Sequence, residues 1–187
     1  FYRKPFKLKE TAVIIEESKK IAKLFSANYY AEIVIDTTKV VFEKKTDYTN
    51  TISNLFSSDE NQKETEYSDS SFHEITIIGN GTTFAANDLS QMTKNDVMVN
   101  DSMCTISIKS AEVVNTVINP SDFTIFIDEG DWSPEEVQDL KLMAVKKVEN
   151  YALENNILEK ANERTKKLLT EFLKSVGFLV VNVEFKP

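Results

Sequence analysis

The sequence predicts an α+β fold, with a mostly antiparallel sheet packed against an N-terminal helix and a long C-terminal helical segment. Two observations predict it. Apolar residues recur at three- and four-residue spacing near the start of the chain and again after residue 133, as in amphipathic helices. Between these parts, short runs alternate with a period of two, which indicates strands. The length of 187 residues is that of one domain, so we predict a single domain over 1–187.

The first two elements are a helix and a strand. In residues 10–25 the apolar residues recur at helical spacing, with Ala12, Ile15 and Phe25 among them, while lysines and glutamates take up most of the rest. From 29 to 44 the period changes to two and β-branched residues accumulate, which predicts one long strand or two short ones.

A long mobile loop is predicted over residues 46–71. This segment is rich in Ser, Asn, Asp, Glu and Thr, and its apolar group is limited to Ile52, Leu55 and Phe56. So little apolar surface cannot offset the entropy of ordering the backbone. Because no catalytic pairing of residues stands out in it, we interpret the loop as disordered or as variable decoration rather than as a site.

Short strands follow the loop at close intervals. They are predicted at 74–78, 82–86, 97–99, 103–109, 113–118 and 123–127. We interpret Gly79-Asn80-Gly81 as a bulge or turn between the first two, and Asn100-Asp101 as a tight hairpin turn. Alternation in 103–109 places Cys104 on the apolar face, which predicts a small buried side chain rather than a nucleophile.

The C-terminal part is predicted to be helical and then extended. Ser133 is followed by Pro134 and, three residues after the serine, by Glu136, which is the pattern of a capping box at a helix start. The helical periodicity continues to about residue 176, as one bent helix or as two helices broken near Asn155-Asn156. Gly177 occupies the place where a helix end takes a left-handed residue, and 179–185 alternates as a closing strand.

Composition excludes several classes of protein. The net charge of −8 disfavours nonspecific binding of nucleic acid, because the chain repels phosphate backbones. Only 4 glycines and 4 prolines are present, which leaves little material for a glycine-rich phosphate loop. One cysteine and one histidine can form neither a disulfide nor a Cys/His zinc site, so only carboxylates remain as ligands for a metal. We predict no cofactor.

The densest acidic cluster contains the one candidate metal site. Asp128, Glu129 and Asp131 surround Gly130, and carboxylate oxygens are the ligands that calcium and magnesium prefer. Their spacing does not match the calcium-loop pattern, and acids at a helix start also stabilise its dipole. We favour the second interpretation. The alternative is a divalent-metal-dependent hydrolase or a small-ligand binder that uses these three residues.

The single tryptophan and the single histidine are the other candidates. Trp132 directly precedes the helix cap, where it forms a hydrophobic staple with Val137 or presents an aromatic ring to a partner protein. His73 has no triad partner in the sequence, so we predict a surface or edge histidine in preference to a proton shuttle. In Asp88-Leu89-Ser90 we predict a turn in which the aspartate binds nearby backbone amides.

Aromatic and basic residues are mixed through residues 2–9, as they are on the polar side of membrane anchors or in an ordinary solvated helix start. The sequence begins at Phe1 rather than methionine, from which we expect a trimmed form or a mature form whose targeting segment has been removed. No apolar run approaches the ~18–20 residues that cross a bilayer.

Residues 77–90 with the Asp-Leu-Ser turn, 104–114, and the helix-to-strand ending at Gly177-Phe178 resemble a bacterial family, the domain of unknown function DUF4230. The resemblance implies an α+β domain, often carried behind a membrane segment or lipoprotein signal, with no established activity and no catalytic residues. We therefore predict a non-catalytic, extracytoplasmic, membrane-anchored domain of a cell-envelope protein. Its expected partner is a protein or envelope component, and it meets the membrane only through a segment missing from this sequence.

Overall fold

The structure, a computed structural model, describes residues 11–22, 27–44 and 67–186. Within them the fold is α+β, as the sequence predicts. The helices are α1 (Thr11–Ala22), α2 (Pro134–Glu154) and α3 (Ile157–Ser175). The strands are β1 (Ala27–Lys44), β2 (Tyr67–Ala86), β3 (Val97–Asn100), β4 (Met103–Lys109), β5 (Glu112–Val117), β6 (Phe123–Glu129) and β7 (Val180–Lys186). The aromatic and basic segment 2–9 and residues 46–66 of the predicted loop lie outside the described residues.

The larger sheet is built around β2. β1 pairs antiparallel with one edge of β2 along nearly its whole length, from Ala27 opposite Ala85 to Lys44 opposite Tyr67. The other edge of β2 is shared by two strands, because β5 pairs with residues 82–86 and β6 with residues 74–79. β2 is therefore the central strand, and β1 lies at an edge of this sheet among the described strands.

Two predictions about this region are wrong. Residues 74–78 and 82–86 are parts of one continuous strand, and Gly79-Asn80-Gly81 is its interior rather than a turn. A Cβ atom on Gly81 would lie 2.7 Å from Ile118 Cγ1 and 3.0 Å from Val148 Cγ2, so glycine is present here to admit close packing and not to bend the chain. The predicted loop also ends earlier than residue 71, because β2 begins at Tyr67.

The smaller sheet has the order β3-β4-β7. β3 and β4 form the predicted hairpin, in which Asn100 lies opposite Met103 and Asp101 takes a left-handed conformation with φ of 49°. β7 pairs in parallel with β4. The prediction did not separate two sheets, because period-two alternation marks strands without stating which strands pair.

Each sheet has its own apolar core. α2 covers the larger sheet, and between them lie Ile33, Ile35, Ile75 and Ile77 with Leu140, Ala144 and Val148 from the helix. α1 and α3 cover the smaller sheet around Cys104, Ile106, Leu169 and Leu173. Where α2 meets α3, a cluster rich in alanine allows close approach of the backbones. No helix of the described residues is long and apolar enough to cross a membrane.

Helix boundaries follow the predicted local signals. Ser133 and Glu136 form the capping box, with Glu136 N donating to Ser133 Oγ at 3.2 Å and Ser133 N donating to Glu136 Oε2 at 2.8 Å. The helical segment is two helices, because Asn156 is left-handed with φ of 58° between them. Gly177 has φ of 109°, and Phe178 N closes the end of α3 by donating to Leu173 O at 3.1 Å.

Cys104 is fully buried in β4, as predicted, and burial raises the pKa of its thiol to about 11. At pH 8 roughly a thousandth of the thiol is therefore ionised in the folded protein. We expect a thiol reagent such as Ellman's reagent to label native Cys104 at least ~100-fold more slowly than the urea-unfolded chain. Comparable rates in the two states would show that the thiol is accessible and would contradict this placement.

Candidate functional site

One face of the larger sheet is directed away from α2. In β1 and β2 the odd-numbered residues that pack under the helix, such as Ile33 and Ile77, are buried. The even-numbered residues between them point to the opposite side, because successive side chains of a strand alternate. We call this side, which carries Tyr30, Val34, Val40 and Phe72, the open face.

The open face combines exposed aromatic and aliphatic side chains with polar ones. Tyr30 is 67% exposed and Phe72 is 74% exposed. Phe72 lies directly opposite Val40, which is itself exposed. Tyr30 Oη donates across the strands to Asn80 Oδ1 at 3.0 Å, so this ring is held in place. Tyr30 with Val34, and Val40 with Phe72, thus form two exposed apolar groups at separate positions along β1. Exposed apolar groups bordered by polar side chains mark surfaces that bind other proteins.

A second group of side chains lies at the start of α2, on the other face of the sheet. Lys39 Nζ from β1 lies 2.8 Å from both carboxylate oxygens of Glu136 and 4.4 Å from the centroid of the Trp132 ring. The Lys39 ammonium group and, next, the backbone N–H of Ser133 lower the pKa of Glu136. This carboxylate thus joins β1 to the cap of α2.

Trp132 is held within this group rather than fully presented to solvent. Its Nε1 donates to Glu129 O at 3.2 Å. The ring and Val137 both pack against the core between α2 and the larger sheet, as a hydrophobic staple requires. Because the side chain is only half-buried, its second predicted role, contact with a partner, stays a prediction.

His73 is neither at the surface nor on an edge strand, so that prediction is wrong. It is 9% exposed in the central strand β2, beneath Gly130. Its Nε2 lies 3.0 Å from Ser71 Oγ, and its Nδ1 accepts from the backbone N–H of Asp131 at 3.1 Å. Sequence alone did not reveal this because Gly130 and Asp131 reach the ring through the pairing of β6 with β2.

The hydrogen bond from Asp131 determines what His73 can do. A backbone N–H is always a donor, so Nδ1 carries no proton and neutral His73 is protonated at Nε2. Nε2 then donates to Ser71 Oγ and cannot accept the serine proton, as a general base would have to. The geometry favours a structural histidine over a proton shuttle.

We expect the neutral ring of His73 to be the Nε2-protonated tautomer. Nitrogen-15 NMR of the single histidine should show proton coupling on Nε2 alone, and a Ser71→Ala variant should leave that tautomer unchanged. A ring protonated at Nδ1 would instead direct that proton to Asp131 O, which lies at 3.3 Å, and would restore Ser71 and His73 as a nucleophile and base pair.

The three candidate metal ligands lie near one another in sequence, but the structure does not gather them. Asp128 and Glu129 are successive residues of β6, opposite Ile75 and Glu74, and so point to opposite faces of the sheet. Asp131 follows the turn at Gly130. In residues 11–22, 27–44 and 67–186, no three His, Cys, Asp or Glu side chains form a group that can hold a metal ion. Thermal unfolding with and without calcium or magnesium tests this alternative, since a bound ion raises the melting temperature.

A polar cavity of about 200 Å³ lies at the end of the smaller sheet, with Asp88, Asp96, Lys109 and Lys186 in its lining. Its two ammonium groups are already paired, Lys109 with Glu112 at 2.9 Å and Lys186 with Asp96. Asp88 Oδ1 accepts from Ser90 N at 2.8 Å, which confirms the predicted turn. Because the cavity's lysines are neutralised within the chain, we do not assign it a ligand.

A family model described as protein of unknown function (DUF4230) matches residues 16–183. The chain belongs to this family. The match extends from α1 into β7, so this DUF4230 domain includes both sheets and all three described helices. No curated protein and no solved structure matches the chain.

Sequence reasoning missed the main features of this DUF4230 surface. Tyr30, Val34 and Phe72 were not singled out, because both faces of β1 carry apolar residues and alternation does not state which face the helix covers. The sequence does contain one signal of this face, because two residues of β1 depart from the alternation of apolar and polar side chains. Tyr30 and Val34 are apolar at positions where a one-sided sheet carries polar residues.

Proposed function

We propose that this domain is a non-catalytic part of a membrane-tethered, extracytoplasmic cell-envelope protein and that it acts by contact with another protein through its open face. The observation that carries the proposal is the exposure, on one side of the larger sheet, of Tyr30 and Val34 and, further along β1, of Val40 with Phe72 opposite it. Holding such side chains in water is unfavourable, and a partner that covers them gains that free energy.

The chemistry of the open face fits a protein partner. Tyrosine and phenylalanine are enriched at the centres of protein interfaces, because they bury a large area at a small cost in conformational entropy. The polar groups between them, such as the pair of Asp36 and Thr76 at 3.0 Å, have partners within the sheet and need none from outside. The chain's net charge of −8 argues against a nucleic acid.

The non-catalytic part of the proposal is supported by the state of the two candidate nucleophiles, a serine and a cysteine. Ser71 and His73 form a pair of nucleophile and imidazole at hydrogen-bond distance, yet the Asp131 N–H fixes the tautomer in which Nε2 already carries a proton and cannot accept one from Ser71. Cys104 is buried and its raised pKa keeps it as a thiol. These two observations support a binding role.

Membrane tethering is supported by the aromatic and basic composition of residues 2–9. It is also supported by the resemblance to a family whose domains are often carried behind a membrane segment or lipoprotein signal. Fractionation of cells that make the natural protein tests it. We expect the protein in the membrane fraction after a high-salt wash, and degradable by protease added outside the cytoplasmic membrane. Recovery in the cytosolic fraction would contradict tethering.

Photo-crosslinking in cells tests the protein contact. We would place a benzophenone amino acid at position 72 on the open face and, as a matched control, at Glu171, an exposed position on α3. We expect a discrete crosslinked species from position 72 and none of that size from position 171. The same pattern from both positions, or no adduct from position 72, would contradict contact through the open face.

A further inference from the structure

The edge of β1 is a second surface, which shares Val34 with the open face. Among the described strands β1 pairs only with β2, so the other edge of this 18-residue strand carries backbone groups outside that ladder. Lys147 Nζ from α2 donates to Val34 O at 2.9 Å, which shows that the backbone groups of Val34 point to this edge. Those of the neighbouring even-numbered residues do too, because the direction alternates along an antiparallel strand.

A groove of about 400 Å³ runs between this edge and α2. We call it the edge groove. Val34, Ile35 and Asp36 line one side, and Met143, Lys146 and Lys147 line the other. Met143 is 55% exposed, so the helix side offers an apolar surface beside two ammonium groups.

The edge groove carries two positively charged side chains, whereas the whole chain has a net negative charge. Lys39, Lys109 and Lys186 each have a carboxylate partner. For Lys146 and Lys147 the described residues show no carboxylate within ion-pair distance. Asp36 Oδ1, the one acid of the lining, accepts from Thr76 Oγ1. Within the described part of this chain of net charge −8, two adjacent cations thus lie without carboxylate partners beside the edge of β1 that pairs with no described strand.

We propose that the edge groove binds an extended acidic segment of a partner protein as an additional strand on β1. A backbone N–H of the segment donates a hydrogen bond to Val34 O. Lys147 Nζ moves from that oxygen to a carboxylate of the segment. Lys146 binds a second carboxylate. In the free protein Lys147 covers the edge, which is how lysines protect exposed strands from nonspecific pairing.

Charge complementarity selects this occupant over a second copy of the chain. Two copies paired edge to edge through β1 would bring their α2 helices side by side on one face of a continuous sheet. The lysines of the two copies would then repel one another. The proposal uses the strand edge and does not depend on contact through the open face, so the two can fail separately.

The test is fluorescence anisotropy with two labelled synthetic peptides, one of alternating glutamate and valine and one of alternating lysine and valine. We expect the glutamate peptide alone to bind the domain. The double change Lys146→Glu with Lys147→Glu should weaken binding at least ~10-fold. The matched control, Lys166→Glu with Lys167→Glu on the exposed surface of α3, makes the same change in net charge and should leave the affinity within about 2-fold.

A second variant separates strand addition from charge attraction. Val34→Pro removes a backbone N–H that points to the free edge and takes no part in the ladder with β2, so the variant should fold and bind ~10-fold more weakly. Phe72→Ser alters the open face and should bind the peptide normally. The proposal is overturned if the glutamate peptide does not bind, if both peptides bind alike, if folded Val34→Pro binds as the wild type does, or if Phe72→Ser abolishes peptide binding.

Discussion

A Gly130→Ala variant is expected to lose about 2–5 kcal/mol of unfolding free energy, from a left-handed backbone cost of roughly 1–2 kcal/mol and an overpacking cost of roughly 1–3 kcal/mol. Gly130 has φ of 87°, a conformation that residues with a Cβ rarely adopt. An added Cβ would also overlap the His73 ring. That ring cannot easily move, because Ser71 and Asp131 hold its two nitrogens.

Urea unfolding measures this effect, and Trp132, two residues away, is the single fluorescent indole that reports it. The control is a double-mutant cycle with His73→Ala, which removes the ring that the new methyl group meets. We expect the two changes to be non-additive, with the alanine at 130 costing less when the ring is absent. Wild-type stability of Gly130→Ala, or full additivity, would contradict the position of His73 beneath Gly130.

A Gly81→Val variant is expected to be destabilised by about 3 kcal/mol or more, at or beyond the upper end of the usual cost of overpacking. Gly81 lies in the interior of β2 under α2, where its Cβ position is 2.7 Å from Ile118 Cγ1 and 3.0 Å from Val148 Cγ2. Valine would add two methyl groups beyond that point. The helix must then lift from the sheet or Ile118 must leave its place.

The neighbouring position supplies the matched control. Asn80 points to the open face of the same strand, so Asn80→Val adds a β-branched residue of the same kind without meeting α2. We expect it to change stability by less than about 1 kcal/mol. If Gly81→Val and Asn80→Val were equally stable, the close approach of Ile118 and Val148 to Gly81 would be contradicted.

Local chemistry made part of the fold predictable. The capping box at Ser133, the hairpin at Asp101 and the left-handed Gly177 depend on residues within a few positions of one another, so their patterns are visible in the sequence. The packing role of Gly81 depends on Val148, which follows it by a long stretch of chain. A glycine that admits a helix and a glycine that permits a turn look alike until the helix is placed.

The candidate surfaces were less predictable for the same reason. Lys39 and Glu136 are 97 residues apart, and nothing in either segment indicates the other. The open face depends on which side of β1 is covered by α2, and the edge groove depends on β1 lying at the edge of the sheet. Both are properties of strand order, which alternation and propensity do not specify.

Hydroxyl-radical footprinting tests contact through the open face most directly. Oxidation of Tyr30 and Phe72 would be compared between the purified domain and the natural protein in intact cell envelopes, with Leu179 as the internal reference. Leu179 is 76% exposed and precedes β7, in the other sheet. We predict that Tyr30 and Phe72 are oxidised in the purified domain and protected in the envelope, while Leu179 is oxidised in both. Equal oxidation of Phe72 in the two samples would contradict a partner on the open face.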